Sequence, residues 1–358
     1  MHATPDAARI ATVAIDLAKD VFELAFADAQ GQLVERQRLS RSAFAKTFDN
    51  APPLRLVMEA CGTAHYWARR FQRRGHAVTL LPAHAVRPYV LGNKTDRTDA
   101  AGLLEADRCG AIRPVPVKTP EQQGIQGLHR VREWHKMQRT AAINLVRGLL
   151  REFGIAIALG STQVRPAVLA ALEDGDNELP MPLRETLHAL LETIAATERE
   201  MAQIEERLQQ FAQSDLRSQR LLRAGGIGLI TATALSASVG EMDRFASGRH
   251  FASYLGLTPR EHSSGKVRRL GRVTKRGDVY LRTLLIHGAR AVLRSAVLAR
   301  KKQQPLDRTR QWALALAERV GHNKAAVALA NKTARRLWAA EHHRTSFDPN
   351  HASAWPTH

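Results

Sequence analysis

The sequence predicts an α/β N-terminal domain with a mixed β-sheet, a coiled-coil segment, and a mostly α-helical C-terminal domain. The short apolar runs that we interpret as buried β-strands all lie in the first 81 residues. Beyond residue 128, apolar residues instead recur every three or four positions, as they do in amphipathic helices. The chain of 358 residues is long enough for two domains with hydrophobic cores.

These patterns divide the chain into four segments. Residues 8–155 form the predicted α/β domain, and residues 156–215 a linker or helical insertion followed by the coiled coil. Residues 216–340 form the helical domain, which ends in two amphipathic helices. Residues 341–358 are polar and contain two prolines without periodicity, so we expect a disordered tail.

The composition indicates a polyanionic partner. Lys and Arg total 53 against 34 Asp and Glu, which gives a net charge of +19. Nucleic acid is the first candidate, and an anionic membrane is the rival. No apolar run approaches the ~20 residues of a membrane-spanning helix and no signal peptide is evident, so we expect a cytoplasmic protein without a membrane partner. Cys61 and Cys109 form no CxxC motif, so neither a disulfide framework nor a zinc site is indicated.

The N-terminal elements follow a recognisable order. Three strands come first, then a helix, a strand, a helix, a strand and a helix. The predicted strands cover residues 13–16, 21–27, 32–39, 54–60 and 77–81. Helices are predicted after Ser42, over residues 63–74, and beyond residue 100. This is the ribonuclease-H-like order, a mixed sheet covered by helices.

Four acidic residues lie where that fold carries metal ligands. Asp16 ends the first strand, Glu59 lies near the end of the fourth, and Asp96 and Asp99 share one face at the start of a helix. Carboxylate oxygens suit Mg²⁺, which can activate phosphoryl transfer. For any single acid, a helix cap or an ion pair is the better explanation. The four together favour a metal site.

The middle of the chain contains two long predicted helices. Residues 128–153 carry a basic face suited to phosphates, although a solvated surface is the alternative. The nucleic-acid-binding candidates on this face are Arg130, Lys136 and Arg139. Residues 183–211 show the alternating four- and three-residue apolar spacing of a coiled coil, which favours a helical hairpin or a dimer contact. We predict self-association.

The C-terminal domain contains two further candidate sites. Gly226 and Gly228 lie between apolar helical runs and resemble a helix-hairpin-helix, whose backbone N–H groups hold a DNA phosphate. Downstream, Ser263-Ser264-Gly265 is flanked by cations: Lys266, Arg268, Arg269, Arg272, Lys275 and Arg276. A plain turn is the favoured explanation on spacing alone, because Ser and Gly are ordinary turn residues. A nucleophilic serine would need activation, which metal-bound carboxylates would provide.

Both halves together resemble the DEDD transposases of bacterial insertion sequences, the family numbered 110, described as bridge-RNA-guided recombinases. The matching segments are AIDLAK (14–19), MEA (58–60), KTDRTDA (94–100), GIG (226–228), RF (244–245), YLGLTP (254–259), SSG (263–265) and TKRG (274–277). The likeness extends to about residue 340.

The resemblance implies a RuvC-like N-terminal domain whose Asp16, Glu59, Asp96 and Asp99 bind Mg²⁺. It also implies a serine nucleophile, Ser264 by its position before the glycine, with Ser263 as the fallback. It further implies that DNA is joined through a phosphoserine intermediate, that a structured RNA from the element pairs with both target and donor DNA, and that the protein assembles as dimers and tetramers. Two other functions remain open: a RuvC-like endonuclease, such as a junction resolvase, that uses water, and a non-catalytic nucleic-acid-binding protein.

Overall fold

The computed structural model describes residues 10–90, 95–265 and 267–351. The chain divides into two compact units after Glu121, which we call the N-terminal unit and the C-terminal unit. This division falls before residue 155, the end of the predicted first domain, because the long helix that begins at Pro120 packs its apolar residues among C-terminal helices. Within the described ranges, no helix has the length and apolar character needed to cross a membrane.

The N-terminal unit is an α/β domain with a mixed sheet, as predicted. Its strands are β1 (Thr12–Leu17), β2 (Val21–Ala27), β3 (Leu33–Ser40), β4 (Arg55–Glu59) and β5 (Ala77–Leu81). Its helices are α1 (Arg41–Thr47), α2 (Ala64–Gln72), α3 (Ala83–Val86) and α4 (Asp96–Arg108). The sheet order is β3-β2-β1-β4-β5, in which β1, β4 and β5 are parallel and β2 is antiparallel to both neighbours.

The two faces of this sheet are covered differently, because alternate strand residues point to opposite sides. One face presents large side chains such as Ile15 and Met58, which pack with the aromatic residues Phe44 and Trp67 of α1 and α2. The other face is lined by small residues, including Ala14, and packs against α4. Asp16 follows Ala14 by two positions and therefore lies on the α4 face.

The C-terminal unit is mostly helical, as predicted. Its elements are α5 (Pro120–Glu152), α6 (Val164–Glu173), α7 (Met181–Ser214), α8 (Leu216–Leu222), α9 (Leu229–Val239), α10 (Gly248–Tyr254), β6 (Pro259–Glu261), β7 (Leu270–Val273), α11 (Val279–Lys301), α12 (Arg308–Val320) and α13 (His322–His342). A hydrophobic core unites α8 to α13, with Phe251 and Leu281 fully buried.

The helices α5 and α7 run antiparallel to each other. Near one end Val146 of α5 shares a core with Leu187 of α7, and near the other Arg132 binds Glu205 at 2.6 Å. The periodic apolar residues of α7 are therefore buried within a single chain, which corresponds to the helical-hairpin alternative. Self-association through this face stays a prediction.

The segment around residues 347–349 lies against α12. Residues 341–351 belong to the stretch expected to be disordered. In the structure Phe347 packs on the hydrophobic core, and the Thr309 hydroxyl donates to the Pro349 carbonyl at 2.6 Å. Residues 352–358 lie outside the described part of the chain.

Candidate active site

Asp16 and Glu59 lie side by side at one edge of the N-terminal sheet. The strands β1 and β4 are parallel, and Ile15 pairs with Met58. Asp16 follows Ile15 on β1 and Glu59 follows Met58 on β4, so the two acids are neighbours on the face that α4 covers. Both side chains are half-buried. The structure thus brings together two of the four predicted carboxylates through strand pairing.

Asp96 and Asp99 occupy the first turn of α4, as the i, i+3 spacing predicts. Thr95 caps this helix, because its hydroxyl accepts a hydrogen bond from the Thr98 backbone N–H at 3.2 Å. Acidic residues in the first turn also stabilise a helix through its dipole. Asp96 is exposed and Asp99 is half-buried.

The direction of α4 brings this first turn to the same end of the sheet as Glu59. Asp107, near the last turn of α4, binds Arg55 at the start of β4 with an N–O distance of 2.6 Å. The helix therefore runs antiparallel to β4, and its N-terminus lies toward the carboxyl end of that strand. In the described ranges, no three His, Cys, Asp or Glu side chains form a group arranged to hold a metal ion.

Glu23 is an additional carboxylate that the sequence patterns did not predict as part of the site. It lies directly opposite Asp16 in the antiparallel β1–β2 pair and is only 7% exposed. Like charges directly opposite each other in a sheet are destabilising. Glu23 sits within the apolar run VFELAFA, and an acid inside a buried strand was the available signal. The register therefore adds a third carboxylate to the row that contains Asp16 and Glu59.

Ser264 lies at the tip of a β-hairpin formed by β6 and β7. Ser264 and Val267 form an antiparallel bridge, with N–O distances of 3.3 and 3.2 Å for their two backbone hydrogen bonds. Gly265 follows with a φ of +57°, a value that favours glycine. We call this segment, residues 259–273, the serine hairpin.

The two candidate serines have different surroundings. The Ser263 hydroxyl donates to Glu261 Oε1 at 2.8 Å and accepts from the Arg269 backbone N–H at 3.1 Å. These bonds hold Ser263 against the hairpin, and the Ser263 bond and Arg268 lower the pKa of the Glu261 carboxyl. The Ser264 side chain is exposed and makes no hydrogen bond to another described residue.

The predicted basic residues of the hairpin are solvent-exposed. Arg268 forms an ion pair with Glu261 at 3.2 Å, which partly neutralises it. The remaining described members of this set are Arg269, Arg272, Lys275 and Arg276. Lys266 lies outside the described residues.

Close backbone contacts anchor the hairpin at its base. A Cβ atom at Gly256 would lie 1.8 Å from the Arg276 carbonyl oxygen, and one at Gly277 would lie 1.9 Å from the Tyr254 carbonyl oxygen. Only glycine fits at these crossings. The buried Arg282 donates to the Leu255 and Arg276 carbonyls, both at 3.3 Å. The hairpin therefore has a rigid base and an exposed tip.

The predicted phosphate-binding face of α5 is partly neutralised by the chain itself. Arg139 forms an ion pair with Glu198 of α7 at 2.9 Å, and Lys136 pairs with Glu133 at 2.9 Å. Arg130 is exposed. Of these three predicted nucleic-acid-binding residues, Arg130 is thus the one best placed to meet a phosphate.

The glycines of the predicted helix-hairpin-helix have structural roles. Gly226 has a φ of +85°, and a Cβ atom there would lie 3.0 Å from the carbonyl oxygen of Gly288 on α11. Gly228 precedes the first residue of α9 and is exposed. Close packing therefore accounts for Gly226, while a phosphate at Gly228 stays a prediction.

Comparison with known proteins finds matches in both units. The family described as "Transposase IS116/IS110/IS902 family" matches residues 218–304, and a DEDD transposase model of the IS110 group matches residues 13–155. A probable family 20 transposase of Pseudomonas aeruginosa is 43% identical over 95% of this chain and 99% of its own length.

Two further relatives extend the comparison. The transposase for insertion sequence element IS1111A of Coxiella burnetii is 38% identical over 92% of this chain and 89% of its own. A pilin gene-inverting protein of Moraxella bovis is 27% identical over 60% of each chain. The four predicted carboxylates and Ser264 all lie within the ranges that the two family models match.

Proposed function

This chain belongs to the IS116/IS110/IS902 family of insertion-sequence transposases, and we propose that it cuts and rejoins DNA through a serine nucleophile assisted by metal-binding carboxylates. As a transposase, it is an enzyme that acts on DNA. The observation that carries the finer proposal is the contrast between the two units. One concentrates carboxylates at a sheet edge, and the other exposes a serine at the tip of a basic hairpin.

The proposed metal ligands are Asp16, Glu59, Asp96 and Asp99, with Mg²⁺ as the expected ion. DEDD transposases normally use divalent metal ions. The donor set fits such an ion, because hard cations prefer carboxylate oxygens. The buried Glu23 opposite Asp16 supports the same assignment, since it adds a further carboxylate to the same row of the sheet. When bound, divalent cations polarise the scissile phosphate and offset charge on the attacking and leaving oxygens.

Ser264 is the proposed nucleophile. Its exposed hydroxyl is available to a phosphate, whereas the Ser263 hydroxyl is held by Glu261 and the Arg269 backbone. In the proposed step, the bond from Ser264 Oγ to phosphorus forms as the bond from phosphorus to a deoxyribose oxygen breaks. The Ser264 hydroxyl gives up its proton in this step, and the leaving deoxyribose oxygen takes up one, so the protons balance. Attack by a hydroxyl group of the second DNA then reverses the step and releases the serine.

Cations of the serine hairpin would stabilise negative charge on the phosphate during this exchange. Arg269, Arg272 and Lys275 are exposed on the hairpin or just beyond it. Rejoining, as opposed to simple cutting, is supported by the similarity to a protein named for inverting a gene. A water-using endonuclease would need the carboxylates but no serine.

We also propose a guide RNA and self-association as parts of this activity. The support for the RNA is the family resemblance together with the net charge of +19. The support for self-association is an exposed apolar strip on α5, where Trp134 and Met137 are 51% and 57% exposed.

The test is to trap a covalent product on labelled donor and target DNA with Mg²⁺ and the element's RNA. Wild type should give a protein-linked DNA band on a denaturing gel. Ser264→Ala should abolish the band, while the neighbouring Ser263→Ala variant serves as the matched control and should retain it. Asp16→Asn should abolish cutting but leave salt-sensitive DNA binding, because that binding comes mostly from Lys and Arg.

The outcomes separate the candidate functions. Free cut DNA without an adduct, unchanged by Ser264→Ala, would identify a water-using nuclease. An adduct that is lost in Ser263→Ala but kept in Ser264→Ala would identify Ser263 as the nucleophile. DNA binding that is unaffected by EDTA, with no cutting by any variant, would indicate a non-catalytic binding protein.

A further inference from the structure

A large basic groove lies in the C-terminal unit, apart from the basic face of α5 and the tip of the serine hairpin. It has a volume of about 1210 Å³ and runs between α12, α13, the start of α10 and the base of the serine hairpin. The cations that line it are Arg249, Arg308, Lys324, Lys332, Arg335 and Arg336.

The cations of this groove have little compensating negative charge. Among described residues, Arg308, Lys324, Lys332 and Arg335 form no ion pair with a carboxylate. Burial and three neighbouring arginines lower the pKa of Lys332. Burial lowers the pKa of Arg336, although the neighbouring Asp348 and Asp307 oppose this shift. So many like charges facing one cleft repel each other unless an anion binds there.

The groove also contains an aromatic side chain. The Lys332 ammonium lies 4.1 Å from the centroid of the Trp312 ring, and Trp312 itself is half-buried in the groove wall. A basic groove that follows one backbone and carries an aromatic side chain is typical of sites that bind single-stranded nucleic acid. Cations on three helices surround the cleft, which suits one strand better than the convex surface of a duplex.

The groove is continuous with the base of the serine hairpin. Pro259 of β6 and Val273 of β7 form part of its wall. The Asn331 side chain of α13 donates to the Leu257 carbonyl at 3.1 Å, which holds the helix against the segment that leads into β6. A strand lying in the groove would therefore extend toward the hairpin.

We propose that this groove binds the phosphate backbone of single-stranded DNA next to the scissile phosphate. The assignment of the neighbouring phosphate rests on the proposed function of the serine hairpin. The backbone contacts themselves rest on the charge and shape of the groove. Lys332 and Arg335 are the residues expected to contribute most, because they lie on consecutive turns of α13 and line the cleft together.

The test compares two double variants with the same net charge. Lys332→Gln with Arg335→Gln removes two groove cations, and Arg294→Gln with Arg319→Gln removes two exposed cations outside the groove. The probe is a fluorescein-labelled 20-nucleotide oligo(dT), with binding followed by anisotropy in EDTA across a series of salt concentrations. RNA and duplex DNA of the same length are measured in parallel, and circular dichroism checks the fold of each variant.

The groove variant should bind oligo(dT) roughly tenfold more weakly, and its log–log salt slope should fall by about 1.4, since each phosphate contact to a single strand contributes about 0.7. The control variant should stay within about twofold of wild type. Equal weakening of both variants, no weakening of either, or a larger loss for RNA or duplex would overturn the proposal. If the groove variant misfolds, the single variant Arg335→Gln replaces it, because Arg335 is exposed. Its log–log salt slope should fall by half as much, about 0.7.

This experiment is independent of DNA cutting. Binding is measured without metal, so it does not require the carboxylates or Ser264. If wild type formed no adduct through Ser264 while the groove variant still bound oligo(dT) more weakly, only the proposed chemistry would be refuted. If wild type formed the adduct but the groove variant bound oligo(dT) as tightly as wild type, only the proposal that the groove binds single-stranded DNA would be refuted.

Discussion

Buried His129 should make the C-terminal unit lose stability in mild acid. This side chain on α5 is 4% exposed, and its ring nitrogens lie 3.0 Å from the Tyr280 hydroxyl and 3.0 Å from the Thr233 hydroxyl. Thr233 donates its own proton to the Leu229 carbonyl at 2.8 Å. Nε2 of His129 must therefore carry the proton donated to Thr233, and Nδ1 accepts from Tyr280. This network holds a neutral imidazole and joins α5, α9 and α11.

The magnitude follows from the pKa of His129. Burial, with a smaller effect of Arg132, lowers it from 6.5 to about 4. The unfolded chain therefore binds more protons than the folded one between these two values, and stability falls as pH drops from 6.5 toward 4. Between pH 7 and pH 5 the loss should be about 2 kcal/mol.

The assay is urea unfolding at pH 7 and pH 5, followed by circular dichroism at 222 nm because the C-terminal unit is mostly helical. His129→Phe should cost about 1–3 kcal/mol at pH 7, since the Tyr280 hydroxyl loses its acceptor and the Thr233 hydroxyl loses the donor that it accepts from. It should also remove the part of the pH dependence that His129 contributes, so the gap in unfolding free energy from wild type narrows at pH 5. The pKa of His65 is likewise lowered to about 4 by burial, and its contribution is the same in both proteins. The exposed His188→Phe serves as the control and should behave like wild type. If His129→Phe kept the full acid loss, another group would be responsible.

Four further substitutions test the packing, the charges and the self-association. Gly277→Ala, with a φ of +88° and a backbone oxygen 1.9 Å from the new Cβ, should unfold the base of the hairpin, whereas Gly265→Ala, with φ +57° and open space, should cost only about 1–2 kcal/mol in thermal melts. Similar melts for both would contradict the tight crossing. Glu23→Gln should raise the melting temperature in EDTA and reduce the gain from Mg²⁺; an unchanged gain would separate Glu23 from the metal. Trp134→Ser should shift a self-associated protein toward monomer in light scattering, and an unchanged mass would exclude this strip.

Local patterns predicted most of the N-terminal unit. The five strands were expected at nearly their observed positions, because alternating burial and apolar runs are properties of short segments. The pairing of Asp96 and Asp99 on the first turn of α4 follows from helical geometry alone. The long helices α5 and α7 were likewise visible in their apolar spacing.

Charge partners were harder to predict because they come from distant segments. The basic face of α5 reads as a phosphate-binding surface until α7 places Glu198 and Glu205 against Arg139 and Arg132. Gly226 reads as part of a phosphate-binding turn until α11 brings Gly288 against it. In both cases the deciding neighbour lies more than 50 residues away in the chain.

The sequence by itself determined the order of the elements, the acids at strand and helix ends, and the serine beside a basic run. Each depends on residues within a few positions of one another. Only the tertiary structure decided that Glu23 faces Asp16, that Ser263 is held while Ser264 is exposed, and that Arg308 of α12 and Lys332 of α13 line one groove. The reason is physical: strand register, hydrogen bonding across a hairpin and helix packing create neighbours that no local pattern specifies.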